Sequence, residues 1–78
     1  MESIEERART DLRAIEFSHS IKIQNKDEIA HFIAANVNES KYVLKVCSYI
    51  NSWIAMNNIS GNAVVPIDIV SQFLASIA

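Results

Sequence analysis

Tyr42-Val-Leu-Lys-Val-Cys-Ser-Tyr-Ile-Asn-Ser-Trp-Ile-Ala-Met56 is the stretch whose reading decides the fold, and it holds the only Trp, the only Cys and both Tyr residues of the 78-residue chain. On a helix of 3.6 residues per turn, Val43, Val46, Ile50 and Trp53 fall at the a and d spacing of a heptad. Cys47 and Ile54 widen that seam, and Tyr42, Tyr49 and Met56 form a second row beside it. Polar positions are confined to a thin strip through Lys41, Lys45, Ser48 and Ser52. A helix that is apolar around most of its circumference has to be covered on at least two sides. The chain is therefore read as one small helical domain over residues 1–78, built around a helix at 40–57, with Trp53 as the largest side chain of its wide face.

N-terminal to this helix, Asn25-Lys-Asp-Glu28 has the pattern of a capping box. Behind it Ile29, Phe32, Ile33 and Val37 make an amphipathic face, which predicts a helix over 26–37. Asn36 to Ser40 then interrupts the pattern with residues that compete for backbone hydrogen bonds. Further upstream, Ser3-Ile-Glu-Glu6 is another capping box, and it opens a charged helix over 3–16 with the narrow apolar stripe Ile4, Ala8, Leu12 and Ile15. Residues 17–78 are the core-forming part.

Between these two helices the apolar period changes from 3.6 to 2. Phe17, His19, Ile21 and Ile23 alternate with Glu16, Ser18, Ser20, Lys22 and Gln24, which predicts a short strand over 17–23 with the first row inward and the second outward. The competing continuation is a first helix that runs on through Ser18. A lone strand needs hydrogen-bond partners, either the Ala63-Val64-Val65 run or the same strand of a second chain. C-terminal to the long helix, Asn57-Asn58 ends it and Gly61 suits a left-handed turn. Pro66 forces Val65 to be extended and begins a last helix over 66–77. The fold class is mostly α, with four helices and one short strand.

Charge is distributed unevenly. Of nine acids and seven bases, all but Glu39, Lys41, Lys45 and Asp68 lie within residues 1–28, and the net charge is −2. That balance disfavours binding to nucleic acid or membrane by charge alone. No apolar run approaches the roughly 20 residues that span a bilayer, and no basic-then-apolar leader opens the chain, so the expectation is a cytoplasmic protein.

Candidate chemistry is sparse. His31 lies opposite the apolar face of its helix, and His19 is not spaced with it as a ligand pair. Cys47 sits at an inward position, where an inert buried thiol is expected, and its solitude excludes an intramolecular disulfide. Glu5, Glu6, Asp27 and Glu28 suit the first turns of helices, and a chain with one glycine has no glycine-rich phosphate loop. The reading is of a non-enzyme with no catalytic residue, no metal and no cofactor.

A chain this short buries only about 60% of the surface its unfolded form exposes, so its stability alone is marginal. With disulfides and zinc patterns excluded, a second subunit is the remaining support. The expected function is a small regulatory or adaptor protein acting through protein–protein contacts and homodimerisation, with Tyr42, Tyr49, Trp53, Met56, Ile69 and Phe73 at the interface. The alternative starts from the order and approximate lengths of strand 17–23, helix 26–37 and helix 40–57, which resemble the ribbon-helix-helix family. That resemblance implies a dimeric DNA-binding regulator in which strands of two chains pair antiparallel in the major groove. It implies that Ser18, Ser20 and Lys22 meet base edges. The chain departs from the family in lacking a glycine between the two helices and in having too few basic residues to hold phosphates.

Overall fold

A computed structural model describes residues 2–77; residues 1 and 78 of the 1–78 domain lie outside the described residues. Six elements follow in the order α1 (Ile4–His19), β1 (Lys22–Ile23), α2 (Lys26–Asn36), α3 (Ser40–Met56), β2 (Asn62–Ala63) and α4 (Ile67–Ile77). The four predicted helices are present, with a 16-residue α1 longer than the expected 3–16. Chain order is α-β-α twice, a long helix of 16 or 17 residues followed each time by one of 11.

Local chemistry explains each boundary. At the start of α1, the Ser3 hydroxyl accepts from the Glu6 amide at 3.1 Å and the Glu6 carboxylate accepts from the Ser3 amide at 3.4 Å, the expected reciprocal cap. Both long helices end in the same way. Ser20 (φ 56°) and Asn58 (φ 53°) turn left-handed, and the amide of the following isoleucine reaches back five residues, Ile21 to the Glu16 carbonyl at 3.0 Å and Ile59 to the Ile54 carbonyl at 3.2 Å. Each isoleucine then folds onto the core, Ile21 buried and Ile59 half-buried. The Pro66 carbonyl accepts from the Ile69 and Val70 amides and so opens α4.

The predicted strand over 17–23 is corrected to two residues. Residues 17–19 belong to α1, where Phe17 points away from the helix packing and is 90% exposed, so the inward row of a strand exists only at Ile21 and Ile23. β1 pairs with β2 of the same chain, parallel, with Lys22 opposite Asn62 and Ile23 opposite Ala63. The Lys22 amide donates to the Gly61 carbonyl at 3.0 Å, and the Gln24 amide donates to the Ala63 carbonyl at 2.7 Å. Gly61 itself adopts φ +66°, as a left-handed turn position requires.

Asn25 extends this ladder with its side chain. Its Nδ2 donates to the Val65 carbonyl at 2.7 Å, and its Oδ1 accepts from the Val65 amide at 3.1 Å. The capping box expected at Asn25 is therefore not formed, because the amide is spent on a residue 40 positions away and caps no amide of α2. Glu28 makes only a 3.4 Å contact to the Asn25 Nδ2.

Around this seam α1 packs on α2 and α3, and α4 packs on α3 and α2. Leu12, Ile23, Ile29, Ile33, Val43, Val46, Ile50, Ile54, Val65 and Val70 are fully buried. Trp53, read as central to the wide face, is half-buried at the edge of this core. No helix of the described residues is long and apolar enough to cross a membrane.

Replacing Asn25 with Ala leaves the Val65 amide and carbonyl without their partners in a part-buried site, and the expected cost is about 1–3 kcal/mol. Urea unfolding measures that loss. Native-state hydrogen exchange should show the Val65 amide exposed faster than the amides of α1, whereas an unchanged Val65 rate would show that the side chain does not hold this segment.

Candidate interaction surface

The charged residues concentrate on the α1–α2 side, and the described structure pairs many of them there. Arg9 bonds Glu5 at 3.0 Å and Asp27 at 2.9 Å, Arg7 lies 3.3 Å from Asp11, and His31 Nδ1 lies 3.3 Å from Glu5. The hydrogen bonds to Asp27 and then Glu5 raise the Arg9 pKa further above its ordinary value. Such exposed pairs contribute little to stability. They do fix the character of this side as a solvated one.

Glu16 is the exception, since its carboxylate is largely shielded. It was read as an outward residue, yet Oε2 accepts from the Ile23 amide at 2.7 Å and Oε1 accepts from Lys26 Nζ at 2.9 Å. One side chain at the end of α1 thus holds both β1 and the first residue of α2. Burial by itself raises its pKa, but the Ile23 amide, Lys26 and the charge of Lys22 outweigh that and hold the carboxyl below its ordinary 4.5.

The α3–α4 side is different in kind. From Ser40 to Ile77 the only charged residues are Lys41, Lys45 and Asp68. Exposed large apolar side chains on it are Leu44 (57% exposed), Tyr49 (41%) and Met56 (81%). Tyr49 stacks on Phe73, ring centroids 5.3 Å apart and planes at 23°, so these two expected interface residues form one aromatic patch across the α3–α4 contact. Trp53 and Ile69 are half-buried. Tyr42 lies apart, half-buried under Lys41 Nζ at 5.2 Å from its ring and lining a small groove with Val37, Leu74 and Ile77.

Two open grooves flank α3. One, of about 310 Å³, runs beside α1 and is lined by Asp11, Ala14 and Asn51 among others. The second, of about 560 Å³, runs beside α4 and includes Tyr49, Ser76 and Ile77. Leu44, Ser48 and Ser52 line both. Sequence reasoning placed Ser48 and Ser52 in a solvated strip and passed over Leu44. The signal available was their spacing of four with Met56.

The residues expected to meet DNA are dispersed over three local structures. Ser18 is exposed on α1, Ser20 is the left-handed residue that closes it, and Lys22 is exposed on β1. The two-chain antiparallel ribbon implied by the family resemblance is not what these residues form, since β1 already pairs with β2 and the Ile23 amide is taken by Glu16.

Among the described residues no three His, Cys, Asp or Glu side chains gather as a metal site. His19 Nε2 lies 2.7 Å from Asn51 Oδ1, tying α1 to α3. Cys47 is buried, and burial, helped by the nearby Asp11 charge, pushes its thiol up to about 12, so at neutral pH it is protonated and weakly nucleophilic. Comparison with family models, curated proteins and solved structures finds no match to this chain.

Because the folded state holds Glu16 below 4.5, its contribution to stability is present above that value and lost as the pH falls through the lowered folded pKa. Glu16→Gln keeps an acceptor for the Ile23 amide but loses the charge facing Lys26. The variant should be less stable than the parent at pH 7 and should show a shallower loss of urea midpoint between about pH 5 and pH 3. Parallel slopes for the two proteins would show that Glu16 carries none of the acid sensitivity.

Proposed function

We propose that this chain is a small non-catalytic regulatory or adaptor protein that works through protein–protein contacts, with a homodimer joined on the α3–α4 side as its working form. The observation that carries this reading is the nearly uncharged α3–α4 surface with Leu44, Tyr49 and Met56 exposed on it. Exposed apolar patches on a small domain mark surfaces that are covered in use. A two-fold arrangement lets one such patch cover itself and gives an interface more apolar than that of a transient complex.

The non-catalytic part of the reading is supported by the protonated, buried Cys47 and by two histidines engaged in separate side-chain contacts. The proposal sets the protein in the cytoplasm, where a lone reduced thiol is at home. DNA binding of the ribbon-helix-helix kind draws no comparable support, because its recognition strand is occupied within the chain.

Folding and association are coupled in such a dimer. The melting temperature should rise by several degrees for each tenfold increase in protein concentration, since association adds a mass-action term to the stability of a domain of this size. Tyr49→Asp, which places a charge in the aromatic patch, should reduce that dependence and shift sedimentation toward the monomer. A folded monomer at micromolar concentration, with a melt independent of concentration, would contradict the proposal.

A further inference from the structure

We infer that a second copy of the chain lays its α3 antiparallel across this α3, the two helices crossing where Ser48 of one copy faces Ser52 of the other. The inference rests on the homodimer proposed above and specifies its contact. It starts from Leu44, Ser48, Ser52 and Met56, all exposed and each four residues from the next, so that they form one continuous ridge along α3. The ridge is large at both ends and small in the middle. Its pattern is symmetric about position 50, and a two-fold axis there sets Leu44 beside the second copy's Met56 and Ser48 beside its Ser52. A surface that reads the same from either end is complementary to itself under that operation.

The serines let the two backbones approach to the short end of the usual 8–10 Å between helix axes, and helices that interlock along ridges of this spacing cross at about 50°. At that angle the two ridges run side by side, each against the groove that flanks the other, so Leu44 stays next to the second copy's Met56. Covering the centre pairs the Ser52 hydroxyl with the oxygen of the opposing Ser48. The Ser48 hydroxyl already donates to the Leu44 carbonyl at 2.9 Å, so it loses no partner when water leaves.

Charge fixes the direction. Lys41 and Lys45 stand near the N-terminal end of α3, whereas its last turn carries no basic residue to balance its carbonyls. A parallel pairing would gather four lysines at one end. The antiparallel pairing separates them and brings each Lys45 toward the negative C-terminal end of the opposing helix. Lys45 has no ion-pair partner among the described residues.

Sedimentation of the full chain and of Ser48→Arg is one arm of the test, because a buried unpaired guanidinium at the crossing should weaken dimerisation by about tenfold or more. Ser48 is exposed in the protomer, so circular dichroism of the variant should be unchanged, and Ala35→Arg, at an exposed position of α2, should stay dimeric. In the other arm, Leu44→Cys and Met56→Cys chains are mixed and treated with a short bis-maleimide, with the parent chain as control for Cys47. The mixture should cross-link and neither variant alone should do so. A parent dimer that survives Ser48→Arg and gives no mixed cross-link overturns this contact and leaves the homodimer reading standing. Efficient cross-linking of Leu44→Cys with itself overturns the antiparallel direction, and a monomeric parent overturns both this inference and the reading beneath it.

Discussion

The Asn25 side chain, bonded in both directions to the backbone of Val65, is the interaction on which the rest of this small fold depends. β1 and β2 have two residues each, too few to hold two halves of a chain together by their own ladder. Asn25 adds a third rung and fixes Val65 just before Pro66. Val65 is fully buried, and α4 starts two residues later, so the placement of the last helix follows from this contact. Glu16 does the equivalent work on the other side of β1, holding Ile23 and Lys26 to the end of α1. A polar pair of clasps thus sets the geometry within which the isoleucines and valines pack.

The division of the surface follows from the same arrangement. α1 and α2 lie together and carry most of the charge, so their outer faces are solvated by Glu5, Arg9, Asp27 and their neighbours. α3 buries Val43, Val46, Ile50 and Ile54 and turns Leu44, Ser48, Ser52 and Met56 outward between two grooves. A helix with one face in the core and a nearly neutral opposite face is placed to bury both when a second molecule arrives. On this view the scarcity of charge after residue 28 belongs to the assembly, since the protomer core accepts only part of the apolar surface available.

Much of this was legible in the sequence where the signal was local. The 3.6-residue period marked the core seam of α3, the Ser3 box marked the start of α1, and Gly61 and Pro66 marked their turns. The strand over 17–23 misled because Phe17 and His19 satisfy a period of two while the helix simply continues through them, with Phe17 facing solvent. Asn25 and Glu16 were illegible for a different reason. Each has a plausible local role, a cap or an outward charge, and the contact that wins is made with a segment brought near only by the fold. At the surface, Tyr49, Met56 and Phe73 were readable as apolar residues in excess of the core. The ridge with Ser48 and Ser52 was not, because a serine on an exposed face looks like solvation until the grooves beside it are known.

The central claim, that the neutral face of α3 and α4 is covered by a second copy, is tested most directly by a dilution series followed in two-dimensional amide NMR. Dilution through the dissociation constant should move the resonances of residues 44–56 and 73–77 while those of Glu5 to Arg13 on the outer side of α1 stay in place. Spectra unchanged over the whole series with the tumbling time of a monomer, or shifts confined to the α1–α2 side, would contradict the account.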